Sequence, residues 1–362
     1  MRTERPVEAV AVSAALMILL LVWAGLAPAP IRAAAPPPPM TPAQISQLGG
    51  QDLIDAAERE GHMVLYTANT ESEADHLAQR FMEQFPRVQV EVVRRGGGEL
   101  YELIAAELTA NKFRGDVIEQ SSPALLTRLQ QLFVVLDHYT SPSDSAYKTP
   151  YVVPGLIHAP WLILHGFAYN SAAVTTKPSS WKDLLNPAFD GRRSVVAATA
   201  GGCAESVWYV LDRLYGDSFW RDVAARKPVV STSNGLMLQM VTRGQVLITT
   251  MLDEAARPEI RRGAPVTMVY PTEGVAPCPT VSGVVRKAAH PNAARLWENW
   301  SLSELGQDVW VKEFGLFSLR TGMPAPTGIT PPSKILWFDP QTLIIHRDEI
   351  VKRWTQIFNY TP

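Results

Sequence analysis

Cysteine is nearly missing from this chain. Two cysteines in 362 residues exclude a disulfide-dense scaffold and a four-cysteine zinc site. Neither sign of charge dominates: 33 Lys and Arg stand against 35 Asp and Glu, a net charge of −2. That balance removes the electrostatic basis for a dedicated nucleic-acid binder. Beyond residue 26 there is no run of 18 apolar residues, so the rest of the chain is expected to be soluble. What is present is apolar bulk. Hydrophobic residues make up 46% and charged residues 19%, enough for a large core and too apolar for wholesale disorder. Proline is frequent, at 29, and four prolines form one run, Pro36 to Pro39.

The first forty residues differ from the rest. Arg2 and Arg5 precede an uncharged stretch, Ala9 to Leu26, and Ala33-Ala34-Ala35 follows. A charged start, an apolar middle and small residues at the end read as a secretory signal cleaved after about Ala35. The other reading is an uncleaved anchor, because 18 apolar residues are at the lower limit for a membrane span. With no twin arginine and no cysteine beside the cleavage site, the expected route carries unfolded chain and leaves no lipid. Residues 36–50 are expected to form an extended, proline-rich tether. Past export the chain would work in an oxidising compartment.

From Asp52 onward helix and strand periods alternate. Leu53, Ile54 and Ala57 give a short helix closed by Gly61; Met63 to Ala68 is a buried strand; Leu77, Phe81 and Phe85 give a helix stopped by Pro86. Val88 to Val93 is a strand, Gly96-Gly97-Gly98 turns into a helix, Val117 to Gln120 is a strand, and Pro123 opens another helix. A second set follows Pro178, with strands at Ser194 to Ala198, Val246 to Met251, Val266 to Tyr270 and Val281 to Arg286. The order implies an α/β fold with right-handed crossovers, whose ligands sit at strand carboxyl ends over helix N-termini. The chain is expected to leave the first half near Trp161 to Asn170 and return near Pro277 to Val285. That gives one lobe from 51–165 and 277–362, a second from 166–276, and a hinged cleft between them. Trp297, Trp300 and Trp310 follow helical spacing and are assigned to the core.

Four local patterns now carry a resemblance. They are Leu65-Tyr66-Thr67-Ala68-Asn69-Thr70-Glu71; Pro178-Ser179-Ser180-Trp181-Lys182-Asp183-Leu184-Leu185-Asn186-Pro187; Arg261-Arg262-Gly263-Ala264-Pro265-Val266 running to Tyr270-Pro271-Thr272-Glu273-Gly274; and His290-Pro291-Asn292-Ala293-Ala294-Arg295-Leu296 with Leu302-Ser303-Glu304-Leu305-Gly306-Gln307. In this order, behind a signal segment, they make residues 52–320 resemble the periplasmic solute-binding proteins of ABC importers. The branch is the type 2 fold with the ferric-iron binders. The resemblance implies a two-lobed fold of mixed sheets with helices on both faces. It also implies capture of a small solute and delivery to an ABC permease in the inner membrane, without catalysis, cofactor or nucleic acid, by a monomer. Iron-binding members follow the strand after the Gly-Gln-Val position with an Asn-Tyr-Tyr element. Here that place reads Thr249-Thr250-Met251-Leu252-Asp253-Glu254, so the phenolates that hold ferric iron are missing and no metal site is assigned. Relatives in the branch take phosphonates, sugar phosphates, thiamine, polyamines or carboxylates, so a small anion, a phosphate ester, an amine or a metal chelate all stay open.

Candidate ligand contacts follow from placement at strand ends. Asn69, Thr70 and Ser72 offer hydroxyls and free N–H groups, or simple caps. Arg95 and Gly97 lie at a glycine-rich turn that admits close approach to phosphate or carboxylate. Ser121 and Ser122 end the third strand. Gly202, Cys203 and Ser206 form the matching loop of the second lobe, and Tyr169 lies at the hinge. Asp253 and Glu254 would favour a cationic or amine-bearing solute, or serve the helix dipole; Tyr270 would line the rim. Cys203 and Cys278 are a candidate disulfide whose reach sequence does not give. Two other functions compete with solute capture: an exported enzyme using Asp253 or Glu254 as acid or base, and a sensory-input module for a membrane kinase.

Overall fold

Nine strands form one continuous sheet in the order β2-β1-β3-β9-β4-β7-β5-β6, with β8 hydrogen-bonded to β4. The structure is a computed structural model and describes residues 39–360. The expected signal segment, 1–35, and the Pro36–Pro38 part of the tether lie outside the described residues.

The expected tether ends early. Thr41 caps helix α1 (Pro42–Gln47): its hydroxyl accepts from Gln44 N while the Gln44 side chain accepts from Thr41 N. This reciprocal box, with proline in the first turn, starts a helix where proline content alone suggested coil. Leu48 is then fully buried, and Asn299 Nδ2 donates to its carbonyl at 2.9 Å. Helix α2 (Gln51–Glu60) stops on Gly61, which takes the left-handed conformation at φ 69°.

The first half of the sheet is parallel. Strand β1 (His62–Thr67) pairs with β2 (Gln89–Arg94) and with β3 (Val117–Gln120). Crossovers run through α3 (Glu71–Gln84) and α4 (Gly97–Thr109), and α5 (Pro123–Phe133) leaves β3. In the second half β5 (Arg193–Val196) pairs in parallel with β6 (Val229–Ser231) and β7 (Ile248–Leu252). Helices α6 (Cys203–Tyr215), α7 (Asp217–Ala225), α8 (Asn234–Thr242) and α9 (Asp253–Arg261) surround it, and β8 (Val266–Val269) follows.

Two long strands join the halves. Strand β4 (His158–Asn170) is buried along its whole length, and β9 (Ala276–Val284) runs antiparallel beside it. Strand β9 begins five residues before the expected Val281 and takes in Pro277 and Pro279. They pair with Leu164 and Leu162 of β4, while β3 covers only Val281–Val284. Proline is tolerated on that stretch because its missing N–H faces no neighbouring strand. After β9 come α10 (Pro291–Leu302) and α11 (Glu304–Asp308), and the chain ends in α12 (Pro340–Phe358). That last helix packs on α5 and also on α6 and α7 of the second half, so it does not belong to the first lobe alone.

The expected core tryptophans are buried. Trp297 and Trp300 pack on Phe81 of α3, and Trp310 stacks on Trp161 of β4 at 4.9 Å. The same region holds a buried ionic cluster. His158 lies 3.1 Å from Asp144 Oδ1 and 2.9 Å from Glu298 Oε1, and Ser282 donates to Glu298. Burial alone would push the His158 imidazole down, but the two carboxylates outweigh it and hold its pKa at about 10. A raised imidazole stabilises the fold fully below its unfolded value of 6.5 and loses that contribution as pH rises through about 10. His158→Gln removes one member of a buried pair, at an expected cost of about 3–5 kcal/mol. Urea unfolding of the wild type should weaken between pH 6.5 and 10, and the variant should lack that slope; parallel pH profiles would show that His158 is neutral in the fold.

Candidate functional site

The carboxyl ends of β1, β2 and β3 face those of β5 and β7 across the hinge strands. Thr70 caps α3 in a capping box: its hydroxyl accepts from Glu73 N, and Glu73 Oε2 accepts from Thr70 Oγ1 at 2.9 Å. Asn69 is buried and fully engaged. Its Nδ2 donates to Glu119 Oε2 at 3.0 Å and its Oδ1 accepts from Thr280 of β9. Burial pushes Glu119 up to about 7, and Trp297 Nε1 donates to it at 3.0 Å. Asn69 and Thr70 therefore shape the floor of the cleft, while Ser72 is exposed on α3. Of the two arginines after β2, Arg94 turns toward this floor and its Nε donates to the Asn69 carbonyl at 2.9 Å; Arg95 is exposed and bonds back to the Arg94 carbonyl.

Two glycine-capped helix N-termini meet at the centre. Gly96 caps α4 and Gly202 caps α6, and neither helix has a side chain bonding its first turn. The backbone approach is close. A methyl group on Gly97 would lie 2.6 Å from Ser121 Oγ and 3.7 Å from Gly202 Cα; one on Gly202, whose φ is 55°, would lie 2.5 Å from Ser121 Oγ. The loop of one half thus rests directly on the loop of the other. Ser122 caps α5 and donates to Glu205 of α6 at 3.4 Å, across the same junction. Ser206 is buried one turn into α6. Free N–H groups at a helix start, with the positive end of its dipole, suit an anion.

The cysteines are bonded here. Cys203 at the start of α6 is joined to Cys278 in β9, with Cα atoms 5.1 Å apart and a sequence separation of 75. A loop of that length contributes about 4 kcal/mol through the unfolded chain's lost entropy. The bond fixes the α6 N-terminus to a hinge strand. Beside it His165 of β4 is fully buried, with Nδ1 3.3 Å from the Cys203 carbonyl; burial pushes its pKa down to about 4, so it stays neutral.

At the start of α9 the two acidic residues have different roles. Asp253 is 0% exposed and its oxygens are occupied: Oδ1 accepts from Leu164 N and Glu254 N, both at 2.9 Å, and Oδ2 accepts from Tyr270 at 2.8 Å. Burial pushes it up to about 6. It is a structural anchor for β4 and the dipole of α9. Glu254, 6% exposed, instead faces Glu73 of α3, which is 4% exposed. Burial holds both carboxyls above the ordinary range; Glu73 raises Glu254 further and Arg94 partly offsets this, whereas the hydrogen bond with Glu254 pulls Glu73 back down. Tyr270 and Tyr169 point elsewhere. Both line a separate concavity of about 490 Å³ with Lys177 and Arg257, and Arg257 donates to Tyr270. Among the described residues no group of three or more His, Cys, Asp or Glu is assembled as metal ligands.

Sequence reasoning missed Glu73, His165 and Glu205, and of the pair Arg94 and Arg95 it did not say which turns inward. The Thr70-x-x-Glu73 spacing did signal Glu73, but as a cap. A carboxyl raised by burial keeps its proton in the folded form above pH 4.5, where the unfolded chain releases it, so stability falls as pH rises from there. Glu254→Gln removes one of two facing charges. Thermal melts should place the variant about 2–4 °C above the wild type at pH 8, roughly 1 kcal/mol, with the difference vanishing near pH 4.5. An offset that is constant from pH 4 to 9 would reject the facing-carboxyl reading.

Comparison with known proteins matches this geometry to one family. The sequence profile described as "Bacterial extracellular solute-binding protein" matches residues 63–315. An uncharacterized protein of Haemophilus influenzae is 21% identical over 331 residues, covering 85% of this chain and 93% of that protein. A putative 2-aminoethylphosphonate-binding periplasmic protein of Salmonella typhimurium is 22% identical over 256 residues, covering 67% of this chain and 72% of that protein. The solved structure of the periplasmic binding protein AfuA from Actinobacillus pleuropneumoniae, with fructose-6-phosphate bound, shares the fold at a TM-score of 0.72 and 20% identity, covering 83% of this chain and 99% of its own. Two lobes of mixed α/β structure, hinged on paired long strands and closed over helix N-termini, are the type 2 periplasmic-binding architecture, and the chain belongs to the bacterial extracellular solute-binding protein family.

Proposed function

We propose that this solute-binding protein captures a small zwitterion, with an acidic group at the glycine-capped helix starts and an amine between Glu73 and Glu254. The family supplies the role, which is to bind a solute in the interlobe cleft and present it to the permease of an ABC importer. The observation that carries the ligand class is the meeting of two helix N-termini without side-chain caps, at Gly96 and Gly202, beside a facing carboxyl pair. The positive ends of the two helix dipoles and the first-turn N–H groups of α4 stabilise an anion; two buried carboxyls that Arg94 only partly offsets stabilise an ammonium group. The 2-aminoethylphosphonate named for the Salmonella relative carries both groups.

The protein acts outside the cytoplasm as a monomer, released by cleavage near Ala35, without nucleic acid and without catalysis of its own. The competing acid–base reading is weakened by Asp253, whose oxygens are taken up by Leu164, Glu254 and Tyr270. Binding should be scored as a shift of melting temperature with 2-aminoethylphosphonate, ethylphosphonate and ethylamine. A ligand at a hundred times its Kd adds about 2.7 kcal/mol, several degrees in a chain of this size. The aminophosphonate is expected to give the largest shift, and Glu254→Gln to reduce it to that of ethylphosphonate. No response to any of the three, or a preference for ethylphosphonate in the wild type, would sink the zwitterion reading.

A further inference from the structure

Residues 334–358 cross from the hinge to both halves of the molecule. The segment is first tied to the hinge: Val275, which precedes β9, donates to the Lys334 carbonyl at 3.0 Å, and Leu336 N donates to the Val275 carbonyl at 2.9 Å. Phe338 then sits between Tyr151, beyond α5, and Tyr209 of α6, with ring centres 5.6 and 5.0 Å away. Helix α12 continues over α5 on one side and α6 and α7 on the other. Trp354 meets Trp208 of α6 at 5.4 Å and is buried there with Leu343 and Ile350.

Its charges reach the cleft. Arg347 Nε donates to Glu205 Oε1 at 2.6 Å, and Glu205 Oε2 accepts from Ser122. Glu205 is 1% exposed and lies in the first turn of α6, so one chain of bonds links α5, α6 and α12 at the place where the glycine loops touch. Arg353 pairs with Asp212 at 2.7 Å and with Asp217 at 3.2 Å. A buried carboxylate stripped of its cation is strongly destabilising where it stands, so loss of Arg347 weakens the Ser122–Glu205–Arg347 chain that ties α5, α6 and α12 together. The family profile ends at residue 315, ahead of this whole segment.

We propose that residues 334–358 are a latch that holds the two halves together without solute and sets how readily the cleft opens. The inference does not depend on which solute binds. The test uses the ligand-free, disulfide-bonded protein and compares Arg347→Ala, Arg353→Ala and Arg347→Lys with the wild type. Small-angle scattering reads the radius of gyration, and hydrogen exchange reads the amides of residues 96–98 and 201–203, with β4 as the internal control. The wild type is expected to scatter as the closed form. Arg347→Ala should expand the molecule and speed exchange in both glycine loops at least tenfold while β4 stays protected; Arg347→Lys should restore most of the protection. Arg353→Ala, at a half-exposed pair, should give a smaller change in the same direction and keeps the test alive where Arg347→Ala unfolds. A ligand-free wild type already as open as the variants, or glycine-loop exchange unchanged in the folded variants, would overturn the latch.

Discussion

The antiparallel pairing of β4 with β9 is the contact on which the molecule depends. It is the only place among the described strands where the two parallel sheets are joined, and every functional element is hung from it. Asp253 fixes α9 to β4 through Leu164 N, Thr280 of β9 fixes Asn69, and Cys278 of β9 fixes α6. A hinge made of two continuous strands bends through small changes at many residues. Its neighbours stay in register because their anchors move with it.

The site on this hinge is built from opposed electrostatic demands. Helix starts without caps present positive ends, and two buried carboxyls present negative ones, within one closed junction. Protein near neutrality overall cannot attract a charged solute by its general field. The selection must come from these few groups, and their burial strengthens each of them by lowering the local dielectric. The same burial raises the carboxyl pKa values, so protons occupy the space that a cationic group of the solute would take.

Much of this was legible in the residues. The alternation of strand and helix periods gave the mixed α/β class of the fold. Boundaries failed where a local rule met tertiary context. Strand β9 starts ahead of Val281 because β3 stops short of Pro277 and Pro279, which the sequence does not show. Sequence alone puts the last helix over Asp348 to Phe358; it begins eight residues earlier, at Pro340, where the Asp339 side chain accepts from Gln341 N. At the strand ends, the sequence places residues by position but does not give side-chain direction. Arg94 rather than Arg95 faces the cleft, and Tyr270 leaves it to hold Asp253. Glu73 was hidden because the same spacing serves a cap, and the Cys203–Cys278 bond needed the distance that only folding supplies.

Gly97 and Gly202 carry a consequence for how such a receptor can diversify. With Ser121 between them, neither position has room for a single carbon. A side chain there wedges the lobes apart before it can contribute any recognition, so this rim of the cleft is closed to variation. The contact between the two loops thus stays bare backbone and one serine hydroxyl.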